Sequence, residues 1–168
     1  QLMNSQDPVV MENVAQILID MATALEHVHD RGYMHLDFKP ENVLLTRNGS
    51  LRLIDFDLAQ PIPNPPRKLD RNPGTPSYMS PEQLSGKKVD GRSDLFSLAV
   101  SLYQLLCGKL PFEGDSMAQL MFKISTEPPT SIISVNPAVP PGIVEFLDRA
   151  LAKNPDERYQ TGEEFASA

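Results

Sequence analysis

The sequence predicts a mainly α-helical domain in which shorter helices surround a buried central helix, with one small β-hairpin as the only clear sheet. Three observations support this prediction: an apolar stripe at helical spacing near the beginning, a stretch near residue 100 that is apolar almost all round, and an Asn-Gly turn between two short apolar runs. With 168 residues, the chain is long enough to bury a sizeable core as one domain, residues 1–168.

The first predicted helix covers residues 8–31. Asp7 is a plausible N-cap, and Pro8 suits the first helical position because its missing N–H would be unpaired there in any case. Gly32 follows the last turn, where a left-handed residue often ends a helix. The apolar stripe consists of Val10, Val14, Ile17, Leu18, Met21, Leu25 and Val28.

The predicted hairpin pairs residues 43–45 with residues 51–54 around the dipeptide Asn48-Gly49. Asn-Gly favours two-residue turns, because their backbone twist matches that of the flanking strands. Such a turn sets a register in which Asn42 faces Asp55. An amide oxygen and a carboxylate at this spacing are hard ligands that suit Mg²⁺, so the open end of the hairpin is a predicted metal site.

The rest of the chain is predicted from its prolines, glycines and apolar runs. Residues 58–81 are rich in proline, which opposes regular structure, and we interpret them as a long functional loop. Residues 93–107 are predicted to form the buried central helix, which ends at Gly108. Shorter helices are predicted at residues 115–125, at residues 141–153 and from residue 161.

Composition excludes several classes of function. The net charge of −7 argues against general nucleic-acid binding, because such a surface repels phosphate backbones. No apolar run approaches the roughly 20 residues that span a membrane. The single cysteine, Cys107, cannot form an internal disulfide and is predicted to be a buried thiol in a reducing compartment, which favours a cytoplasmic location.

Two further polar residues precede the predicted metal ligands. Asp37 could accept a proton from a hydroxyl group, and Lys39 could stabilise a phosphoryl group during its transfer. Together with Asn42 and Asp55 they make a set that suffices for phosphoryl transfer. A purely structural helical domain is the alternative, but it would leave these groups collected without a purpose.

Four stretches resemble signature segments of the eukaryotic-like serine/threonine protein kinases. The residues of these segments are more similar to those of bacterial members than to those of animal members. The resemblance implies the C-terminal lobe of that fold, with the N-terminal lobe absent and an activation segment at about residues 55–82. The stretches are His35 to Asn42 for the catalytic loop, Asp55 to Asp57 for the magnesium triplet, Gly74 to Glu82 for the end of the activation segment, and Asp90 to Asp94 for the start of the central helix.

The resemblance also implies roles for single residues. Asp37 would be the catalytic base, Asn42 and Asp55 the Mg²⁺ ligands, and Leu44 the floor under the adenine of ATP. Lys39 would contact the γ-phosphate and Thr75, and it favours Ser/Thr side chains of protein substrates over tyrosine. Structural roles would fall to His35 packed on Phe56, to Asp94 as a hydrogen-bond acceptor for the catalytic loop, and to a Glu82–Arg158 ion pair. His27 and His29 are expected to be solvated or packing residues away from these motifs.

Three departures from the family pattern bear on activity. Leu36 replaces the arginine that in the family binds a phosphate on the activation segment, and no Ser, Thr or Tyr lies between Leu58 and Gly74. We therefore predict activation without phosphorylation of that stretch. Asp57 replaces the glycine of the magnesium triplet, and no glycine-rich nucleotide loop or lysine strand is present. The chain alone is thus expected to be inactive, and a pseudokinase or docking module is the alternative to an active kinase.

Overall fold

The structure is a computed structural model that describes residues 14–45, 51–54, 56, 58–63, 67–68 and 75–167. Several sequence predictions concern residues outside these ranges. They are the first six residues of the predicted first helix with its cap, the turn at Asn48-Gly49, Gly74, and the two acidic residues Asp55 and Asp57.

The described residues form a helical domain with short strands, as predicted. The α-helices are α1 (Val14–Asp30), α2 (Pro81–Leu84), α3 (Arg92–Cys107), α4 (Met117–Thr126), α5 (Ile132–Val135), α6 (Pro141–Ala150) and α7 (Gly162–Ser167). The strands are β1 (Tyr33–Met34), β2 (Val43–Leu45), β3 (Leu51–Leu53), β4 (Gln60–Pro61), β5 (Arg67–Lys68) and β6 (Lys88–Val89). Single 3₁₀ turns lie at Pro40–Asn42, Pro76–Tyr78 and Pro155–Glu157.

Helix α3 lies at the centre of the core. Most of its 16 residues are buried, and the side chains of Phe96 and Leu98 are fully inaccessible. Burial of a side chain of this size contributes about 1.5–3 kcal/mol, so a helix that is apolar on all sides is stable only inside the protein. The helix ends where Gly108 adopts a φ of +75°, and its N–H donates to the Gln104 carbonyl at 2.7 Å. The predicted central helix is confirmed.

Helix α1 packs against α3 and α7 through the predicted apolar stripe. Its residues Ile17, Met21 and Leu25 are buried. The stop signal is also confirmed, since Gly32 has a φ of +83° and its N–H donates to the His29 carbonyl at 2.9 Å. The chain turns sharply there into β1, which leads directly into the predicted catalytic loop.

The sheet prediction is partly wrong. Within the described ranges three two-stranded antiparallel sheets form, which pair β2 with β3, β1 with β4, and β5 with β6. The hairpin of β2 and β3 was predicted. The other two pairs could not be predicted, because strands of two residues are too short to show the alternation of apolar and polar residues. Pro61 is tolerated in β4 because the strand lies at a sheet edge.

The predicted hairpin register is also wrong. Leu44 pairs with Arg52, and the Ile54 N–H donates to the Asn42 carbonyl at 2.8 Å, so Asn42 faces Ile54 and not Asp55. The observed pairs leave five residues, 46–50, between the paired residues Leu45 and Leu51. An odd number is incompatible with a simple two-residue turn, and this shifts the register by one residue.

The remaining predictions of secondary structure are close to the structure. Helices α4, α6 and α7 lie at the predicted places, with α6 ending three residues early at Ala150. The proline-rich loop is largely irregular where it is described, but it contains the unpredicted strands β4 and β5. The short helix α2 was missed although Ser80 and Gln83 form a capping box at its start. Cys107 is half-buried and not fully buried, and its thiol donates to the Tyr103 carbonyl at 3.2 Å.

Among the residues that the structure describes, no helix combines the length and the apolar character that a membrane crossing requires.

Candidate active site

The predicted catalytic loop runs from the end of β1 into β2. Lys39 is extended, Pro40 opens a single 3₁₀ turn, and the Val43 N–H closes that turn on the Pro40 carbonyl. Proline suits this first position because its φ is already near the helical value. The turn brings Asn42 back toward Asp37, so that polar side chains five residues apart share one site.

The side chains of Thr75, Lys39 and Asn42 meet around the Asp37 carboxylate, which is 9% exposed. The Thr75 hydroxyl donates to Asp37 Oδ1 at 3.1 Å, and Lys39 Nζ donates to the Thr75 hydroxyl oxygen at 2.8 Å. Lys39 Nζ also lies 3.8 Å from Asp37 Oδ1. Asn42 Nδ2 donates to the Asp37 carbonyl at 2.7 Å and to Asp37 Oδ2 at 3.3 Å. The predicted contact between Lys39 and Thr75 is present.

The geometry around Asp37 suits a base for a hydroxyl proton. Its carboxylate already accepts a hydrogen bond from one hydroxyl, that of Thr75, at a distance expected of general bases. The side chain of Lys39 retains 24% exposure, which leaves its ammonium group able to reach an anion. A carboxylate and a cation held this close can act on two different atoms of one reacting group.

Buried hydrogen bonds hold the backbone that carries Asp37. Asp94, in the first turn of α3, is 1% exposed and accepts from the His35 and Leu36 N–H groups, each at 2.8 Å. The predicted structural role of Asp94 is confirmed. Since the helix dipole also favours a carboxylate at this position, Asp94 is a strong anchor between α3 and the loop.

His29 was wrongly expected to lie away from the motifs. Its Nε2 lies 2.8 Å from Asp94 Oδ2, so this histidine shares the carboxylate that holds the catalytic loop. The spacing of His29 could have indicated that it faces the core, because Met21, Leu25 and His29 follow one another at four-residue intervals on the buried face of α1.

His35 has the structural role that the resemblance implied. It is completely buried, and its ring centroid lies 4.9 Å from that of Phe56. Its Nε2–H donates to the Ile54 carbonyl at 2.9 Å, while Nδ1 accepts from the Asp37 N–H at 3.2 Å. The ring therefore links the hairpin to the backbone of the proposed base and has no nitrogen left for proton transfer.

The predicted ion pair between Glu82 and Arg158 is also present. Arg158 donates to both carboxylate oxygens, at 2.7 and 2.9 Å, and the two side chains are 4% and 1% exposed. Burial opposes the ionisation of Glu82, but the hydrogen bonds and charge of Arg158 outweigh it, so the pKa of Glu82 lies below its ordinary value. Ser93 adds a third hydrogen bond at 2.7 Å. The pair ties α2, at the end of the predicted activation segment, to the helical core.

The predicted metal and nucleotide residues are only partly described. Asn42 is 5% exposed, and its amide nitrogen is used by Asp37, which leaves the amide oxygen for a hard cation. Asp55 lies outside the described residues. Among the residues that are described, no group of three or more His, Cys, Asp or Glu side chains could hold a metal ion. Leu44 is half-buried in β2.

Comparison with known proteins identifies the family to which this arrangement belongs. The profile of the protein kinase domain matches residues 1–167. The serine/threonine-protein kinase PksC of Streptomyces coelicolor is 37% identical over 161 residues, which cover 94% of this chain and 29% of that protein. The serine/threonine-protein kinase PknB of Mycolicibacterium smegmatis is 34% identical over 166 residues, 97% of this chain and 27% of that protein.

A third relative is the probable serine/threonine-protein kinase PknB of Lactococcus lactis, which is 32% identical over 165 residues, 98% of this chain and 26% of that protein. The chain thus spans about a quarter of the length of these curated relatives. All three are bacterial, in agreement with the resemblance noted in the sequence. The match over nearly the whole chain shows that it belongs to the protein kinase domain family.

Proposed function

We propose that the protein containing this chain is an ATP-dependent serine/threonine protein kinase, which transfers the γ-phosphoryl group of ATP to Ser/Thr hydroxyls of protein substrates. The observation that carries the proposal is the site in which Asp37, Lys39, Thr75 and Asn42 meet within hydrogen-bonding distance. The similarity to bacterial proteins named as serine/threonine-protein kinases supports it. A cytoplasmic location belongs to the same proposal, because ATP and reduced thiols occur together there.

In this proposal each residue of the site has one task. Asp37 orients the substrate hydroxyl and accepts its proton, while Lys39 stabilises the charge that develops on the phosphoryl oxygens. Asn42 and Asp55 would hold Mg²⁺, which when bound neutralises charge on the phosphates. Leu44 would support the adenine ring. Thr75 keeps the Asp37 carboxylate and the Lys39 ammonium group in place before substrate binds.

We also propose that residues 1–168 correspond to the C-terminal lobe of the kinase fold, with the activation segment at about residues 55–82. The described residues fit that lobe, since they combine a buried central helix with the loop that contains the proposed base. The chain contains no glycine-rich nucleotide loop. Because positioning supplies most of the catalysis in phosphoryl transfer, we expect negligible turnover from this chain alone.

A regulatory module without catalysis is the second candidate, favoured by Leu36 and Asp57 at positions where the family usually has arginine and glycine. The deciding experiment compares Asp37→Asn with the unchanged full-length protein that contains the chain. Loss of the base should lower kcat by about 10²–10⁴-fold while magnesium-dependent ATP binding persists. Asp148→Asn, on the exposed surface of α6, is the matched control and should retain full activity. Equal turnover of all three proteins, or none in any of them, would contradict the proposal.

A further inference from the structure

Leu36, directly before the proposed base, has an unusual backbone. Its φ is +64°, and within the described ranges it is the only residue other than glycine with a positive φ. This conformation is unfavourable for a residue with a branched side chain, because Cβ crowds the backbone. Such a conformation persists only where the surrounding structure enforces it, and it often marks a functional constraint.

Hydrogen bonds on both sides of the peptide enforce this conformation. Asp94 accepts from the N–H groups of His35 and Leu36, and His35 Nδ1 accepts from the N–H of Asp37. The backbone therefore turns at Leu36 in such a way that the Asp37 carboxylate faces Thr75. A change of the Leu36 conformation would move the proposed base.

The side chain of Leu36 provides a second constraint. It is 3% exposed and packs with buried Met34 and Val89 and with half-buried Ile62, a group of side chains that we call the Leu36 cluster. The members come from separate parts of the chain: β1, the catalytic loop, β6, and the residue after β4. Because the leucine side chain has no hydrogen-bonding group, apolar packing is what links Leu36 to the other three segments.

The Leu36 cluster lies beside the strand pairs that attach residues 60–61 and residues 67–68 to the rest of the protein. Met34 pairs with Gln60, and the Ile62 N–H donates to the Gly32 carbonyl at 2.8 Å. On the other side, Val89 pairs with Arg67. Strands β4 and β5 of the predicted activation segment are thus attached to β1 and β6 next to the packed side chain of Leu36.

We propose that Leu36 is a positioning residue whose side chain anchors the segment around β4 and β5 to the catalytic loop by apolar packing. A leucine cannot bind a phosphate, and no hydroxyl side chain lies between Leu58 and Gly74. The anchor therefore works without phosphorylation and is built into the fold. Its effect on catalysis rests on the proposed kinase function, but the anchoring itself does not.

Amide hydrogen exchange tests the anchor in the full-length protein, without ATP. Leu36→Ala removes most of the packing, so exchange in residues 58–63 and 88–89 should accelerate by about tenfold or more, while α3 exchanges at its normal rate. Leu36→Met keeps the volume and should restore slow exchange. Ile133→Ala, an exposed residue of α5, is the matched control and should change neither region.

Leu36→Gly separates the side chain from the backbone, because glycine adopts a positive φ without strain. If packing is the anchor, this variant exchanges as fast as Leu36→Ala. Slow exchange in Leu36→Gly, unchanged exchange in Leu36→Ala, or acceleration that extends equally through α3 would each overturn the proposal. Phosphatase treatment of the unchanged protein should leave the exchange of residues 58–63 as it was.

Steady-state kinetics supply the readout for positioning. Leu36→Ala should lower kcat by about tenfold or more with a smaller change in the KM for ATP, and Leu36→Met should recover most of kcat. The two proposals can fail separately. Accelerated exchange in Leu36→Ala, in a protein without kinase activity, would support the anchor and contradict the proposed function. An active kinase in which Leu36→Ala leaves exchange unchanged would support the function and contradict the anchor.

Discussion

The buried ion pair of Glu82 and Arg158 allows a quantitative prediction. Arg158→Met should lower the free energy of unfolding by about 3–5 kcal/mol, because it leaves the Glu82 carboxylate buried and uncompensated. Methionine retains apolar contact with the ring of Phe96, whose centroid lies 4.9 Å from the guanidinium carbon. The carbonyls of Ala152 and Lys153 also lose their donor, at 2.6 and 3.1 Å, and these losses add to the cost.

Urea-induced unfolding, followed by circular dichroism, measures this loss. The double variant Glu82→Gln with Arg158→Met should recover much of it, because no buried charge remains and glutamine still accepts a hydrogen bond from Ser93. Arg149→Met, which breaks the exposed pair with Glu164, is the control and should cost about 1 kcal/mol or less. If Arg158→Met costs no more stability than the control, Glu82 is not left as an uncompensated buried charge.

The dependence of this loss on pH follows from the pKa of Glu82. Because Arg158 lowers that pKa below the ordinary value of 4.5, the stability contributed by the pair is present above the unfolded pKa and is lost as pH falls through the folded one. In Arg158→Met, burial without the arginine raises the pKa of Glu82, so the variant takes up the proton at a higher pH than the unchanged protein. The stability difference between the two proteins should therefore be largest near neutral pH and should narrow as the pH falls toward the lowered pKa of Glu82 in the unchanged protein.

Two further predictions concern single polar side chains. Thr75→Val removes the hydrogen bonds to Asp37 and from Lys39, so kcat of the full-length protein should fall by about 10–100-fold. The control Thr126→Val, at an exposed hydroxyl of α4, should leave kcat unchanged. Equal kinetics of the two variants would contradict a role for Thr75. Burial and the nearby Arg158 charge lower the pKa of Lys153 to about 8 from an unfolded value of 10.5. The unfolded chain then binds more protons between these pH values, so urea unfolding should show stability rising from pH 8 to 10 relative to Lys153→Met, and parallel curves would argue against a lowered pKa.

Much of the fold could be predicted because its signals are local. A short window of sequence contains each of these signals: the glycines that end two helices, Gly32 and Gly108, and the apolar character of α3. Each feature is present in the structure. The hairpin was predicted for the same reason. Its register was not, because the preference of Asn-Gly for a two-residue turn is one local rule, while pairing along β2 and β3 depends on the whole ladder.

Contacts between distant residues were predictable only where a family resemblance supplied them. The acceptor role of Asp94 and the pairing of Glu82 with Arg158 came from that resemblance and are present in the structure. The link between His29 and Asp94 was missed, since a histidine on an amphipathic helix has no pattern that names its partner. The Leu36 cluster likewise joins residues that are far apart in the sequence. The sequence therefore showed that leucine replaces the usual arginine, but it did not show which side chains Leu36 packs against.

We propose that the cluster around Asp37 performs phosphoryl transfer in the protein that contains this chain. The most direct test is the transfer of labelled phosphate from ATP to a Ser/Thr protein substrate by that full-length protein with Mg²⁺ present, compared with its Asp37→Asn variant. We expect transfer by the unchanged protein and a loss of about 10²-fold or more in the variant, with ATP still bound. Equal transfer by both proteins would contradict it.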